Sequence, residues 1–160
     1  MQEVHINEET FSQCSFIQNN YNILSNNSRS KYSTASLVKT DLDITNVATD
    51  DNGRVILFDI ADHTQVNLYL PAGSDAESKN KREEYFSLIL PQLLQNRKKC
   101  GVAGGDFNCI VDAIDSSNNP EQKISKGLKR LINFLDWEDS LRKIKKKDKF
   151  FQDTIKLGID

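Results

Sequence analysis

The first half of the chain contains short hydrophobic segments that are separated by polar and turn residues. Hydrophobic and polar residues alternate over residues 35–38 and 44–48, as in strands whose successive side chains point to opposite faces, and two further β segments follow over residues 54–61 and 64–70. Together they predict four short β-strands. The stretch DDNGR after the second of them is typical of a hairpin turn. We therefore expect a meander of antiparallel strands.

The segment ahead of the meander, EETFSQCSFIQNNYNIL, predicts a short helix followed by a strand. Phe11, Phe16 and Ile17 are its expected buried positions. The polar pair Asn19 and Asn20 is typical of a turn, so the helix is expected to end there.

After Pro71 the hydrophobic residues take helical spacing, which predicts an amphipathic helix through residue 94. Pro91 is expected to kink this helix or end it early, because proline lacks a backbone donor. Residues 100–111 predict a strand buried on both faces, and residues 126–144 predict a second amphipathic helix. The expected inward residues of the second helix are Leu128, Leu131, Ile132, Leu135 and Leu141. This succession makes the second half of the chain α/β.

The composition fits a single domain, and the chain as a whole has no net positive charge that would attract a polyanion. The 160 residues are enough for one buried core, and the net charge of -2 leaves local patches as the source of any nucleic-acid affinity. The most basic patch runs from Arg142 to Lys149, where a solvated helix face is the alternative interpretation. We expect a domain of residues 1–142 and a basic, poorly ordered tail of residues 143–160.

The location and assembly of the chain are only partly constrained. Its 3 cysteines lack metal-ligand spacing, and the sequence has no apolar segment of membrane-spanning length and no signal-peptide core. These features predict an intracellular protein, nuclear or cytoplasmic, without a membrane partner. They leave the oligomeric state open.

Candidate chemistry lies in VAGGDFNCIVDAID, residues 102–115, where an apolar run breaks on two glycines before Asp106 and Asn108. Ligands of α/β folds bind outside the carboxyl ends of strands. Asp106 offers a carboxylate to a divalent cation, and Asn108 offers both a donor and an acceptor, while Phe107 is expected to point into the core. The same residues also fit an ordinary strand-to-turn transition.

Glu3 and Tyr69 are candidates for the other polar groups of such a site. Glu3 lies in MQEVHINEE, whose alternation predicts a strand end, and acidic residues at neighbouring strand ends can share one Mg²⁺. Tyr69, in NLYLP, can donate to a phosphate oxygen. The alternatives are a surface carboxylate in a frayed terminus for Glu3 and half-buried packing for Tyr69.

Three stretches together, QEVH, VNLYLP and GGDFNCIVDAID, resemble the endonuclease/exonuclease/phosphatase superfamily. Within it they look like the apurinic-type endonuclease domain of LINE-type retrotransposons, in which the motifs typically read QETH, NVYAPN and GGDFNCxxDxxD. The likeness extends to DDNGRVILFDI and LKRLINFLDWEDSLR. It implies an α/β fold, an α+β four-layer sandwich in which two mostly antiparallel β-sheets are flanked by helices, incomplete at the N- and C-termini.

The resemblance also implies a phosphodiester hydrolase that requires Mg²⁺ or Mn²⁺ and acts on DNA. Glu3 would be the metal ligand, and Asp106 would orient or deprotonate the attacking water. Tyr69 and Asn108 would contact the phosphate. The secondary candidates are Gln2, His5, Asn67 and Asp160.

The chain departs from the family pattern at several positions. Family members carry a metal-site Asn on a strand before Q-E, and they end with S-R-I-D and a catalytic His in S-D-H, for which LGID is a partial match at most. Ala72 replaces the Asn usual after the proline, and Asp112 and Asp115 match family positions that we interpret as loop-ordering. We therefore expect a truncated nuclease domain that is poorly folded alone or nearly inactive.

Two alternatives to an endonuclease stay open. The first is a catalytically dead fragment or binding module. The second is a phosphatase of the same superfamily that acts on an inositol or sphingolipid head group. Membrane-facing apolar or basic loops would be its hallmark, and the sequence shows none.

Overall fold

The computed structural model describes residues 15–27, 33–97, 100–116, 120–139, 143 and 157–158. Its first half contains one short helix, α1 (Ser15–Asn20), and five strands: β1 (Tyr21–Asn27), β2 (Ser33–Lys39), β3 (Ile44–Thr49), β4 (Val55–Ile60) and β5 (His63–Tyr69). Its second half contains α2 (Ala76–Glu84), a π-helical turn (Tyr85–Ile89), α3 (Leu90–Leu94), β6 (Cys100–Asp106), a 3₁₀ turn (Ala113–Asp115), α4 (Pro120–Lys123), α5 (Lys126–Leu135), β7 (Glu138–Asp139) and β8 (Leu157–Gly158).

The strands form two sheets. β1 and β2 pair antiparallel in a small sheet, and the large sheet has the order β3-β4-β5-β6-β8-β7. Among the described strands only β5 and β6 run parallel, and the helical segment between them provides the crossover that a parallel pair requires. The mostly antiparallel sheets are confirmed, and β3, β4 and β5 form an antiparallel meander as predicted. β2 was expected in the same meander and instead pairs with β1 in the small sheet.

Hydrophobic clusters arrange these elements in four layers. One face of the large sheet is covered by the helices, through side chains such as Phe86 and Leu128. The other face packs on the small sheet, where Phe58 contributes to a shared cluster. Ile17 of α1 packs against Ala35 and covers the outside of the small sheet. The predicted four-layer α/β sandwich is therefore the observed architecture.

The helix that contains Pro91 widens in the turn before the proline. Asp75 caps α2, because its carboxylate accepts from the Ser78 N–H (2.8 Å). Leu90 donates its N–H to the Tyr85 carbonyl, five residues earlier, which is π-helical spacing. Pro91, which has no N–H to donate, then lies in the first turn of α3. The helix therefore does not end early at Pro91 but continues to Leu94, with a π-helical turn ahead of the proline.

Three details of the sequence prediction are wrong. Phe16 was expected to be buried and is 66% exposed, because α1 turns Ile17 toward the sheet instead. β6 is not buried on both faces, since Val102 is 43% exposed while Ala103 lies in the core. α5 ends at Leu135, where Asp136 takes a left-handed φ of 53° and terminates the helix. Phe11 and Leu141 lie outside the described residues.

Residues near the end of the chain pair with the large sheet. Leu157 and Gly158 of β8 pair with Ala103 and Val102 of β6 and also with β7. The predicted boundary between residues 1–142 and residues 143–160 stays a prediction. No helix in the described ranges is long and apolar enough to cross a membrane.

Candidate active site

Tyr69 and Asp106 lie side by side at the carboxyl ends of the parallel strands β5 and β6, where their Cα atoms are register partners. The pairing continues one step further, because the Leu70 N–H donates to the Asp106 carbonyl (2.9 Å). Asn108 joins them, since its Nδ2 donates to the Leu70 carbonyl (2.8 Å). We call Tyr69, Asp106 and Asn108 the rim, because ligands of α/β folds bind at this edge of the sheet.

The backbone of GGDFN explains the glycine and asparagine at the strand end. Gly105 has a φ of 144° and Asn108 a φ of 49°, values at which glycine and asparagine are least strained. The Asn108 N–H donates to Asp106 Oδ1 (2.9 Å), which closes the turn and orients the carboxylate. Phe107 is fully buried and stacks on Phe86, with ring centroids 6.5 Å apart. Its predicted inward position is confirmed.

Arg54 supports Tyr69 from the neighbouring strand end. The Tyr69 ring is buried, and the Arg54 guanidinium carbon lies 5.6 Å from its centroid. Arg54 Nη1 donates to the Tyr69 carbonyl (3.0 Å), and the Tyr69 N–H donates to the Arg54 carbonyl (2.8 Å). A buried positive charge is thereby held next to the rim, where it raises the electrostatic potential for an anion.

Asp50 positions Arg54, a role that the sequence pattern did not predict. Its Oδ1 accepts from the backbone N–H groups of Arg54 and Val55 (both 2.8 Å), and its Oδ2 accepts from the Tyr85 hydroxyl (2.6 Å). Burial and this bond raise the pKa of the Tyr85 hydroxyl above its ordinary value, so the hydroxyl remains a donor. The sequence signal at Asp50 is a turn motif, which does not distinguish a buried aspartate from an exposed one.

Asn67, a secondary candidate, connects the two sheets. Its Nδ2 donates to the Ala35 carbonyl and to the Ser36 hydroxyl oxygen, both at 3.0 Å. It lies two residues before Tyr69 and pairs in register with Gly104. These bonds fix the small sheet against β5 close to the rim.

The remaining predicted positions fall partly inside and partly outside the described residues. Asp112 caps the 3₁₀ turn, since its Oδ1 accepts from the Ile114 N–H (3.3 Å), and Asp115 is the last residue of that turn. The bond of Asp112 matches its interpretation as a loop-ordering residue, and the same interpretation of Asp115 stays a prediction. Four predicted site residues lie outside the described residues, so their roles stay predictions: Gln2, Glu3, His5 and Asp160.

Comparisons with known proteins identify the fold. No family model and no curated protein matches the chain. An AP endonuclease from Archaeoglobus fulgidus superposes with a TM-score of 0.75 at 17% identity, over 98% of this chain and 74% of that one. The chain shares the fold of this AP endonuclease. The 3'-5' exonuclease NExo from Neisseria meningitidis also matches, with a TM-score of 0.71, 17% identity and the same 98% and 74% coverage. So does the 3' phosphatase NExo from Neisseria bound to a product DNA hairpin, with a TM-score of 0.69, 18% identity and again 98% and 74% coverage.

The polar groups of the rim can be compared with the ligands that a divalent cation takes in proteins. Mg²⁺ is usually bound through one or two carboxylates together with water and substrate phosphates. Asp106 supplies one half-buried carboxylate, which the Asn108 N–H orients. The residues that the structure describes contain no group of three or more acidic, histidine or cysteine side chains suited to a metal. The rim therefore fits a cation held by one carboxylate, with Glu3 as the predicted second ligand.

Proposed function

We propose that the chain is a DNA phosphodiester hydrolase whose active site is the rim and whose cofactor is Mg²⁺ or Mn²⁺. The observation that carries the proposal is the in-register pair of Tyr69 and Asp106 at the ends of two parallel strands, with Asn108 tied beside them. The likeness in fold to a 3' phosphatase bound to a product DNA hairpin supports DNA as the substrate class.

Asp106 is assigned to the attacking water. The bond from the Asn108 N–H to Oδ1 holds the carboxylate in one orientation at the end of β6. A carboxylate positioned in this way can accept a proton from water and align the water oxygen with the phosphorus. General-base assistance of this kind contributes a factor of about 10² to 10⁴ in rate.

Asn108 and Tyr69 are assigned to the phosphate. One N–H of the Asn108 side chain donates to the Leu70 carbonyl and holds the amide in place. The second N–H makes no bond to a described residue and remains for a non-bridging phosphate oxygen. Tyr69 would contribute its hydroxyl, with Arg54 fixing its ring. A bound metal would polarise the scissile phosphate and stabilise the leaving oxygen.

The motif sequences narrow the proposal to an endonuclease of the retrotransposon type. QEVH, VNLYLP and GGDFNCIVDAID lie in the order of the LINE-type domain, and the last of them supplies both Asp106 and Asn108. Such an enzyme would act inside the cell, in the nucleus or cytoplasm, where DNA is accessible.

A nicking assay tests the proposal. The purified chain is incubated with supercoiled plasmid and with a duplex that carries one abasic site, in Mg²⁺, in Mn²⁺ or in EDTA. We expect metal-dependent nicking that Asp106→Asn reduces, because asparagine keeps the acceptor for the Asn108 N–H and removes the charge. The matched control is Asp41→Asn, an exposed carboxylate at the opposite end of the large sheet.

Three outcomes would contradict the assignment. Nicking that continues in EDTA would exclude the metal. Equal nicking by the Asp106→Asn and wild-type proteins would exclude the rim. Absence of nicking by a protein whose circular dichroism shows a folded state would favour a binding module.

Removal of a 3' phosphate from DNA is a second candidate, because one structure of this fold is a 3' phosphatase bound to a product DNA hairpin. The same rim residues would serve both reactions. An oligonucleotide with a 3' phosphate and an internal cleavable site distinguishes them. Release of inorganic phosphate at constant chain length identifies the phosphatase, and shorter products identify the endonuclease.

A further inference from the structure

A cavity of about 330 Å³ lies on the helix side of the large sheet, between residues of α2, α4 and α5. Two of its lining residues connect it to the loops that follow the rim strands. Cys109 directly follows Asn108. Arg82 donates from Nη1 to the carbonyls of Pro71 and Gly73 (2.6 and 2.9 Å), in the loop that follows Tyr69. The cavity therefore adjoins the loops that leave both rim strands.

Positive charge dominates the lining of this cavity. Its five basic side chains are Lys79, Arg82, Lys123, Lys126 and Arg130. Glu83 is the one acidic residue of the lining, so five positive charges and one negative charge give a formal total of +4. Burial raises the pKa of the Cys109 thiol to about 12, so this side chain stays neutral and does not repel an anion.

Arg82 has donors that reach the cavity. It is 4% exposed, and its two hydrogen bonds to described residues both start from Nη1. Every buried side-chain nitrogen or oxygen among the described residues has a partner. The Nε and Nη2 groups have no partner in the described part of the chain, so they must be accessible, and the cavity that Arg82 lines provides the access. A buried guanidinium with available donors is suited to a phosphate or carboxylate.

Two of the first N–H groups of α5 are already engaged, so the helix N-terminus is not the main source of attraction for an anion. Leu128 donates to the Ser125 hydroxyl oxygen (3.0 Å), and Gly127 donates to Glu83 Oε2 (2.7 Å). The other oxygen of Glu83 accepts from the Ser125 hydroxyl (2.5 Å). Both carboxylate oxygens are therefore occupied, and the basic side chains remain as the groups that can bind a ligand.

We propose that this cavity binds a backbone phosphate of the DNA substrate, outside the bond that is cleaved at the rim. The proposal rests on the proposed function, because it assumes a DNA strand laid across the rim. A bound phosphate would fix the register of that strand, since phosphate contacts position nucleic acid without reading its sequence. The cavity would thus decide which phosphodiester reaches Asp106.

The test measures DNA binding without cleavage. Fluorescence anisotropy of a labelled duplex is recorded in EDTA over a series of salt concentrations. The variant is Lys123→Gln with Lys126→Gln, two exposed lining residues whose replacement leaves the Arg82 bonds intact. The matched control is Lys39→Gln with Lys129→Gln, which removes the same charge at exposed positions that do not line the cavity.

We expect the plot of log affinity against log salt to become shallower by about 1 for each lining lysine removed, equally for duplexes of different sequence. The control should keep the wild-type slope. Asp106→Asn should also keep it, so loss of cleavage with intact binding separates a failure of the active site from a failure of this inference. Equal slopes for the lining variant and the control would overturn the proposal.

A second arm titrates inorganic phosphate and follows the melting temperature. It distinguishes DNA from a small phosphorylated compound as the source of the phosphate. If the lining variant loses the phosphate-dependent stabilisation but keeps the wild-type slope of DNA binding, the cavity belongs to the small compound and the DNA assignment is overturned. If the lining variant, and not the control, loses the stabilisation and also has the shallower slope, the DNA assignment is supported.

Discussion

Replacing Asp50 by alanine removes the carboxylate that holds Arg54 behind the rim. Three buried donors lose their acceptor, namely the Arg54 N–H, the Val55 N–H and the Tyr85 hydroxyl. The Asn26 amide also donates to Asp50 Oδ1, but in the variant it keeps the backbone carbonyls of residue 50 and Val55 as acceptors at 3.0 Å. The removal of the bond from Asn26 to Oδ1 therefore costs little stability.

The magnitude follows from these three donors. A buried donor without a partner costs about 1–3 kcal/mol, and local relaxation keeps the total below a simple sum. We therefore expect Asp50→Ala to lower the free energy of unfolding by about 3–5 kcal/mol. Asp50→Asn keeps one acceptor oxygen for the Arg54 and Val55 N–H groups, so it should cost only about 1–2 kcal/mol.

Urea unfolding measures both variants, with the fluorescence of the single tryptophan, Trp137, as the signal because this residue lies in the core. Asp41→Ala is the control, an exposed carboxylate whose removal should change stability by less than about 0.5 kcal/mol. A cost of Asp50→Ala below about 1 kcal/mol, or an equal cost for the alanine and asparagine variants, would refute the argument from orphaned donors.

Three further predictions concern the turn and core at the rim. Gly105→Ala should lower the free energy of unfolding by about 1–3 kcal/mol, because Gly105 has a φ of 144°. Gly104→Ala should lower it clearly less, because the added Cβ meets no described atom within 4 Å, and equal losses in urea unfolding would contradict this. Phe107→Ala should lower the free energy of unfolding by about 3–5 kcal/mol, because Phe107 is fully buried. Phe134→Ala changes an 80% exposed side chain and should lower it by less than about 0.5 kcal/mol, so similar melting temperatures of the two variants would argue against the core assignment of Phe107. Because the folded state raises the pKa of Tyr85, the contribution of its hydroxyl to the free energy of unfolding is complete below pH 10 and declines as the pH rises further. Tyr85→Phe should therefore flatten the fall in the free energy of unfolding above pH 10, and an unaltered fall would disprove this linkage.

The parts of the fold and site that can be predicted from sequence are those with a local pattern. The hydrophobic segments that form β4 and β5 and the helical spacing before Leu94 are visible in short windows, and these elements form as expected. GGDFN carries its own turn chemistry, so Asp106 and Asn108 can be selected from the amino-acid sequence alone. The resemblance in motifs placed Tyr69 with them.

The features of the fold and site that the sequence did not predict depend on contacts between residues far apart in the chain. Asp50 and Tyr85 are 35 residues apart, and Glu83 and Ser125 are 42 residues apart, so no local window pairs them. Arg82 looks like a solvated helix residue in a charged stretch, and only the packing of α2 against the loop after β5 buries it. The hydrophobic pattern of α5 likewise does not reveal the left-handed Asp136 that ends the helix.

The central claim is that the rim hydrolyses a phosphodiester with Asp106 acting on the water. Its most direct test is the single-turnover rate of DNA cleavage in Mg²⁺ with enzyme in excess, compared between Asp106→Asn and Asp41→Asn. We predict that Asp106→Asn slows cleavage by about 10² to 10⁴ while Asp41→Asn retains the wild-type rate. Equal rates for the two variants would contradict the claim.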